Sequence, residues 1–580
     1  MAEKTKNPQI FKRDNTWWSK NWFYTILITV AVIGGVCAFL VVPFAVPQPF
    51  SKDDSISALR QAVLVATGGV LAILTLWENR RKNDQEHMRQ VHAERRARYA
   101  KAIEQLADEK APIRLGGVYT LIKLVDEWLA DEKTLPNEEE RREEGQVIIN
   151  SLCAYIRSPF DLASKTEVLS QNETPENYEG GNQQFIKDQA RLREEKELRL
   201  TILNAIKTRL NSGTIIQEKG TEKILKVPWS DFDYDFSGAF FFYSIGFNNS
   251  YFGASSNFSG VEFTEKAEFS EAKFFQDADF SGVKLTEASF FMAEFTEKAN
   301  FSGAEFTEKA NFSGAKFIQD ADFSGAKLTE TSFLMAEFTE KANFSGAEFT
   351  EKADFSGAAF LQEANFSRAT FTGDAKFAGA TFTQDADFSG TKFIQDADFS
   401  GTKFTQGTNS YGSAFFPVAS FSGATFAQDA DFSGARFIHG TIFSGAEFTR
   451  ANFSGAEFNQ DVKAIFQVVS FSGTKFIRAN FSGTEFILNA DFSRTEFTQE
   501  ANFSKATFQA EPIFKSTLGN EARFSYKANP EDYNFKVSHN SPYKIETKEQ
   551  EHNGIKFVIP EDAELFDPDE PSEQGNNDGN

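Results

Sequence analysis

The order of apolar and polar residues divides the chain into a membrane-like segment, a helical segment and a long repeat. No charged residue lies between Asn21 and Ser51, and residues 22–42 are almost wholly apolar. About 20 apolar residues suffice for a helix to cross a hydrocarbon layer ~30 Å thick. A second apolar run covers residues 56–77, with Arg60 near one end. We therefore predict a transmembrane hairpin over residues 21–77, with spans at about 22–43 and 56–77.

Basic residues lie outside both ends of the predicted hairpin. Cytoplasmic flanks of membrane spans carry an excess of Lys and Arg. The N-terminal segment, residues 1–20, and everything after the second span are therefore predicted to be cytoplasmic. The flanking residues are Lys4, Lys6, Lys12, Arg13 and Lys20 before the first span, and Arg80, Arg81, Lys82 and Arg89 after the second.

Residues 78–230 change to helical spacing and predict a juxtamembrane helical region. Apolar residues recur three or four positions apart after Pro112, and again within 138–157 and 192–210. This is the spacing of one face of a helix. Residues 164–182 are polar and contain glycine, which predicts a loop. We expect a small helical bundle here.

From Phe236 to Phe514 a phenylalanine recurs at intervals of mostly five or six residues. Fifty-two positions follow this spacing, 49 of them are Phe, and a small residue usually stands two positions earlier. Positions five apart on an α-helix lie ~140° apart around its axis, so they could not form one apolar stripe. In a short extended segment the Phe and the small residue point to one side and the polar residues to the other. The spacing therefore predicts an all-β solenoid with phenylalanines inside.

Units such as Ala299-Asn300-Phe301-Ser302-Gly303 resemble the pattern A-(D/N)-(L/F)-x-x of the pentapeptide-repeat family. The resemblance covers residues 231–526 and implies a right-handed quadrilateral β-helix with four sides per coil. Every second corner here carries one extra residue. We therefore expect coils of about 22 residues and about 13 coils in all.

The order of the segments is similar to that of membrane-anchored bacterial pentapeptide-repeat proteins. In those proteins two spans precede a helical stretch similar to residues 99–106 and 114–119 of this chain. The resemblance implies a bacterial inner or plasma membrane, with both termini and the β-helix in the cytoplasm. It leaves the activity open.

The repeat supplies both predicted core residues and candidate interaction residues. Ser410 stands where a Phe is expected, and the step from Phe458 to Phe466 spans eight residues. Loops and irregular corners of a solenoid often carry binding residues. The candidate interaction residues are therefore Ser410, Tyr411, Gln460, Asp461 and Lys463. The predicted core is represented by Phe301, Phe306, Phe312, Phe317, Phe323, Phe344, Phe349 and Phe355.

Residues 272–314 and 315–357 are almost identical in sequence. Such a duplication favours a role in which length or a repeated surface matters more than one unique pocket. Beyond Phe514 the repeat weakens, and residues 527–560 are expected to cap the open end of the solenoid. The acidic tail, residues 561–580, is expected to be disordered.

Composition and charge limit the kinds of function that the chain could have. The formal net charge is −23, which opposes direct binding to nucleic acid because phosphate neutralisation needs clustered Lys and Arg. Paired carboxylates such as Asp277 and Asp279 recur along the repeat, which indicates solvated surface residues rather than an acid–base pair. The two cysteines, Cys37 and Cys153, lie in segments of different character. No enzyme activity, cofactor or metal site is predicted.

The sequence favours a non-enzymatic scaffold that is tethered to the membrane by two spans and presents a rigid β-helical rod to an unknown cytoplasmic protein. Oligomerisation stays open. The alternative is an acidic, DNA-mimicking inhibitor or protector of a DNA-binding enzyme such as a topoisomerase, because some soluble members of the resembling family are similar to DNA in shape and acidity. A continuous acidic face would favour mimicry, whereas mixed charge would favour the scaffold.

Overall fold

A computed structural model describes residues 17–45, 55–211, 215–218, 221–224, 227–404, 419–437, 441–458 and 468–569. The chain divides into two compact units, Met1–Ala100 and Lys101–Asn580. The first unit contains α1 (Trp17–Val36), which continues through a π-helical turn (Cys37–Val41) and a short helical turn (Val42–Ala45). It also contains most of α2 (Ser55–Leu106). Two stretches, Trp22–Phe44 and a part of Ile56–Leu106, are long and apolar enough to cross a membrane.

Helices α1 and α2 pack side by side in opposite directions. The Lys82 ammonium lies 3.5 Å from the Tyr24 hydroxyl near one end of the pair. The Arg60 guanidinium lies 6.0 Å from the centre of the Phe39 ring near the other end. Between them Gly34 faces a side chain of α2 so closely that an added Cβ would collide with it. Small residues allow this close approach of helices in an apolar medium.

The helix that contains the second predicted span continues beyond residue 77. Helix α2 runs without interruption from Ser55 to Leu106, so the predicted span and the first part of the juxtamembrane helical region belong to one helix. No glycine or proline lies between Val70 and Leu106, so nothing interrupts the backbone hydrogen bonds where the composition changes from apolar to charged.

Three further helices belong to the second unit: α3 (Ala111–Leu129), α4 (Glu138–Arg157) and α5 (Gly181–Leu210). Helix α4 has the predicted limits, and the Asn137 side chain caps it by accepting the Glu139 N–H at 3.0 Å. Helix α5 begins 11 residues before the predicted start at residue 192. The predicted loop between α4 and α5 includes short helical turns at Ala163–Lys165 and Thr166–Leu169, and two antiparallel strands, Ile215–Glu218 and Thr221–Ile224, follow α5.

The rest of the second unit is a parallel β-solenoid. One turn of the chain, here called a rung, has four sides, so that Phe301, Phe306, Phe312 and Phe317 lie on the first to fourth sides of one rung. Strands of the first side and of the fourth side form separate sheets of 12 strands, and strands of the second and third sides join in one sheet. The first-side strands are Tyr234–Asp235, Ser256–Asn257, Ala278–Asp279, Ala299–Asn300, Ala321–Asp322, Ala342–Asn343, Ala364–Asn365, Ala386–Asp387, Ala419–Ser420, Thr441–Ile442, Val468–Ser470 and Asn489–Asp491. The fourth-side strands are Tyr251–Phe252, Lys273–Phe274, Glu294–Phe295, Lys316–Phe317, Glu337–Phe338, Ala359–Phe360, Thr381–Phe382, Lys403–Phe404, Arg436–Phe437, Glu457–Phe458, Glu485–Phe486 and Thr507–Phe508.

The joint sheet of the second and third sides contains several strands that pass through the corner between these sides without a break. Glu305–Asn311 is one of them. The strands of this joint sheet are Phe240–Phe241, Ile245–Gly246, Glu262–Phe263, Ala267–Glu268, Lys284–Leu285, Ala288–Ser289, Glu305–Asn311, Lys327–Ser332, Glu348–Phe349, Ala353–Asp354, Thr370–Phe371, Ala375–Lys376, Lys392–Phe393, Ala397–Asp398, Thr425–Asp431, Glu447–Asn452, Lys475–Asn480, Glu496–Asn502, Ala522–Ser525, Tyr533–Asn534 and Ala563–Phe566.

The stacking of the rungs corrects the predicted number of coils. Most rungs are 21 or 22 residues apart, but Ala386 pairs directly with Ala419 and Thr441 pairs with Val469. These two steps contain more residues than a rung needs, because they include 405–418 and 459–467. The solenoid therefore has about 11 turns rather than 13. The predicted number counted Ser410 and Phe466 as sides, and both lie outside the described residues.

The C-terminal residues extend the solenoid beyond the repeat. Ala522–Ser525 pairs with Glu496–Asn502, and Ala563–Phe566 pairs in parallel with Ala522–Ser525. Thr547–His552 and Ile555–Pro560 form an antiparallel hairpin between them. The prediction of disorder from residue 561 is therefore wrong for residues 561–569. Backbone pairing with the last rungs orders an acidic segment that composition alone indicated as disordered.

Candidate interaction surfaces

The eight phenylalanines named as core residues all lie in the interior of the solenoid. Each has at most 1% of its surface exposed. On one side, rings of successive rungs stack face to face, as in Phe301 and Phe323 at 4.8 Å between centres. Between sides, rings meet edge to face, as in Phe301 and Phe312 at 5.4 Å. Both arrangements are favourable for aromatic rings, and neither leaves a ring available to a partner.

In the rungs of residues 262–341, exposed charges on all four sides form columns of alternating sign. Because rungs stack ~4.8 Å apart, a charge in these columns lies next to an opposite charge above or below. Farther along the third side the alternation ends, and Asp374, Asp396 and Asp429 follow each other in successive rungs. Examples are Lys327 with Glu305 at 3.2 Å and Lys273 with Glu294 at 3.2 Å. The alternating columns are Asp277, Lys298, Asp320 and Lys341 on the first side; Glu262, Lys284, Glu305 and Lys327 on the second; Lys266, Glu287, Lys309 and Glu330 on the third; and Lys273, Glu294, Lys316 and Glu337 on the fourth.

A second column on the first side alternates Asp and Asn. The Asn300 amide donates to the Asp279 carboxylate at 3.1 Å, and each of these side chains also accepts the N–H two residues ahead, as Asn300 does from Ser302. The amide therefore separates carboxylates that would otherwise repel each other, and the Asx turn shapes the corner. This explains why the residue before a first-side Phe is usually Asp or Asn.

Replacing Asn300 by Asp should lower the free energy of unfolding by about 1–2 kcal/mol at neutral pH and low salt, because three carboxylates would then follow each other in successive rungs. The loss should shrink in high salt and below about pH 4, where carboxylates take up protons. Urea unfolding at several pH values measures it. Asn365→Asp is the matched control, because Asn365 has Asn343 on one side and Asp387 on the other, and about half the effect is expected there.

The five candidate interaction residues, Ser410, Tyr411, Gln460, Asp461 and Lys463, lie outside the described residues. Both segments fall within the two long steps between rungs. Their role as interaction residues stays a prediction.

A buried polar network joins the helices of the second unit. Arg199, 2% exposed, donates to Glu195 at 2.8 Å and to the Ile156 carbonyl at 2.7 Å. Glu195 also accepts from the Tyr155 hydroxyl at 3.1 Å and lies 3.4 Å from Arg114. Burial, together with the charge of Glu195, raises the pKa of Tyr155. Because Glu195 is held by two guanidinium groups and Arg199 also reaches the Ile156 carbonyl on α4, the network braces the helices against each other.

Two hollows adjoin the helices of the second unit. One, of about 760 Å³, lies between α4 and the first rungs, and its lining includes the acidic residues Glu138, Asp233 and Asp277. Another, about 310 Å³, adjoins the network of Arg199 and Glu195. Across the described ranges, no group of three His, Cys, Asp or Glu side chains could hold a metal ion.

The thiol of Cys153 is buried in α4, and this burial raises its pKa to about 12. The thiolate is the reactive form, so a shift of three units from the ordinary 9.0 lowers its population about a thousandfold. We expect Cys153 to react with a maleimide about a thousandfold more slowly in the folded chain than in denaturant at pH 8. Mass spectrometry of the labelled peptide measures the rate, and equal rates would contradict the burial of this thiol.

One surface feature was missed by the sequence interpretation. The corner after the third side usually carries Ser-Gly, but Phe291-Met292 and Leu334-Met335 replace it in two rungs. These four side chains, which we call the apolar ridge, are 40%, 55%, 39% and 71% exposed. The signal was present in the sequence, because both pairs stand directly after a core Phe where polar or small residues are the rule.

Comparisons with known proteins give one result. Several segments of this chain match the family model described as Pentapeptide repeats (9 copies). The matched segments are residues 290–334, 335–381, 366–413, 377–425, 421–463 and 462–507. No curated protein and no solved structure matches the chain.

Proposed function

Because this chain carries pentapeptide repeats that fold into a parallel β-solenoid, we propose that it is a non-enzymatic scaffold, tethered to a membrane by two helices, whose rigid rod presents fixed surfaces to a cytoplasmic protein. The observation that carries the proposal is the contrast between the interior and the surface of the rod. Aromatic packing fixes the backbone from rung to rung, while the outer side chains stand in straight columns of regular spacing. Such a surface suits recognition of an extended partner.

The tether rests on the length and composition of the two apolar helices of the first unit. Their outer faces carry large apolar side chains, such as Val65 and Ile73, each 68% exposed. Exposed apolar surface of this extent is costly in water and favourable in lipid. The basic residues at both outer ends of the hairpin favour a cytoplasmic location for the termini and for the rod.

The alternating columns favour the scaffold over a DNA-mimicking inhibitor. Residues 251–515 contain 35 acidic and 21 basic residues, so the rod is acidic overall. A DNA mimic needs a continuous line of negative charge to replace phosphates. Lys or Arg interrupts the columns of every side within residues 262–341, and the acidic run of Asp374, Asp396 and Asp429 on the third side covers three rungs, so a basic DNA-binding surface would meet both signs along most of this stretch.

Partner capture from membranes tests the proposal. Each of four variants reverses every charge in one alternating column, so that Lys becomes Glu and each acidic residue becomes Lys. For the second side the substitutions are Glu262→Lys, Lys284→Glu, Glu305→Lys and Lys327→Glu. The exchange keeps the net charge and the alternation of sign within the exchanged residues, so each variant controls for the folding of the others. We expect a partner captured by the full chain to be lost with one variant and kept with the remaining three. Recovery with all four variants and with a chain lacking residues 231–526 would exclude the rod as the binding element.

A further inference from the structure

The apolar ridge raises the free energy of an isolated folded chain. Met292 and Met335 have left-handed backbone angles, with φ of 53° and 56°, at the corner position that glycine occupies in neighbouring rungs, as in Gly314 with φ of 65°. A side chain with a Cβ is strained in this conformation. All four ridge side chains are also largely exposed. Neither local stability nor solubility accounts for two strained, exposed apolar corners.

Bulky and small corners alternate along the ridge. Phe291-Met292 is followed in the next rungs by Ser313-Gly314, then Leu334-Met335, then Ser356-Gly357. Backbone hydrogen bonds join the successive corners, from Met292 N–H to the Ser313 carbonyl at 2.9 Å and from Gly314 N–H to the Leu334 carbonyl at 2.8 Å. The pattern of large and small corners therefore repeats every two rungs.

The charged columns on both sides of the ridge have the same two-rung period. On the fourth side Glu294, Lys316 and Glu337 follow each other in successive rungs. On the third side Lys309 and Glu330 lie in successive rungs, 3.7 Å apart. Shape and charge therefore alternate together along this edge of the rod.

We propose that the ridge binds the ridge of a second copy of this chain, with the two rods antiparallel and a two-fold axis midway between the rungs of Ser313 and Leu334. This axis places each bulky corner of one copy against a small corner of the other. Lys316 of one copy then faces Glu337 of the other, and Lys309 faces Glu330. Farther out, Glu268 of one copy faces Lys376 of the other.

Other arrangements of two rods fit less well. A parallel pair in register would place bulky corners against bulky corners and Lys316 of one copy against Lys309 of the other, which has the same charge. A parallel pair shifted by one rung would restore the match, but it leaves unpaired ends and does not close, whereas soluble assemblies favour closed symmetry. The antiparallel pair with its two-fold axis is thus the closed arrangement in which both the corner sizes and the charges of the two copies match.

The contact spans six rungs, from the rung of Glu268 to the rung of Lys376. At ~4.8 Å per rung this is about 29 Å along the rod. A specific interface buries about 800 Å² per partner, so an edge of this length lies at the lower limit. We therefore expect a weak dimer that depends on concentration.

Cross-linking of the full-length chain in detergent tests the register. With Cys37 and Cys153 replaced by Ala, one preparation carries Glu268→Cys and a second, with a different tag, carries Lys376→Cys. After mixing, a bismaleimide of about 10 Å should join the two preparations. It should not join Glu268→Cys chains to each other, because these positions would lie five rungs, about 24 Å, apart in the proposed dimer.

A matched variant replaces the ridge by the corner sequence of the repeat: Phe291→Ser, Met292→Gly, Leu334→Ser and Met335→Gly. We expect at least a tenfold loss of the mixed cross-link. We also expect an unchanged or higher Tm, because two strained residues are removed. Three outcomes would overturn the proposal: no mixed product, a mixed product that the ridge variant leaves undiminished, or a predominant product between Glu268→Cys chains, which indicates parallel rods.

Discussion

Replacing Phe355 by alanine is expected to lower the free energy of unfolding of the solenoid by about 3–5 kcal/mol, the usual cost of removing a large buried aromatic ring. The Phe355 ring is fully buried and stacks with Phe333 at 4.8 Å and with Phe377 at 4.9 Å. It also meets Phe344 edge to face at 5.5 Å. The cavity would therefore affect three consecutive rungs at once.

Rungs contact only their neighbours, so the damage should stay local. Limited proteolysis of Phe355→Ala should give new cuts near residues 333–377 and leave rungs far from this region resistant. Phe291→Ala is the control, since it removes the same ring from a position that is 40% exposed, and about 1 kcal/mol or less is expected there. Equal destabilisation by both substitutions would contradict the assignment of Phe355 to the interior.

Deleting residues 315–357 should shorten the rod by two rungs and leave it folded. The deletion removes one copy of the duplication and joins Gly314 to Ala358. The third-side Phe312 is then followed, at the native spacing, by the fourth-side Phe360. Because the solenoid is stabilised rung by rung, we expect the same protease resistance and a Tm within a few degrees of the full chain.

A deletion out of register should behave differently. Removing residues 315–354 takes away 40 residues instead of 43 and places Phe355 directly after Gly314, at the position that the small inward residue Ala315 occupies in the native chain. The strands beyond the junction then cannot keep both their Phe and their small residue inside. We expect the two deletions to differ by more than 3 kcal/mol in stability to urea. Equal stability would show that the register is not fixed by the phenylalanines.

The sides of the solenoid could be predicted from sequence because one physical rule sets them. Every rung needs large and small residues inside at a fixed spacing, and even Leu285 and Leu328, which interrupt the Phe pattern, are buried as expected. The number of turns could not be predicted in the same way. A Phe-like spacing within residues 405–418 and at Phe466 looks like further sides, yet the strands before and after these segments pair directly with each other.

Other features depend on contacts that no local pattern contains. Pairing of Ala563–Phe566 with Ala522–Ser525 orders part of an acidic tail. Arg199 and Glu195 lie on one face of a helix, but their partners Ile156 and Tyr155 come from another helix about 40 residues away. The apolar ridge is the opposite case, because its residues stand out in the sequence, while their exposure and strained backbone appear only in the folded rung.

Distances between spin labels on the second side test most directly whether the chain forms one rigid rod. Glu262 and Lys475 lie nine rungs apart through direct strand pairings. Electron–electron dipolar spectroscopy of the doubly labelled full chain should give one narrow distribution near 43 Å, at ~4.8 Å per rung. With residues 315–357 deleted it should move to about 34 Å. A broad distribution, or a distance that the deletion leaves unchanged, would contradict a rigid solenoid as the presenting element.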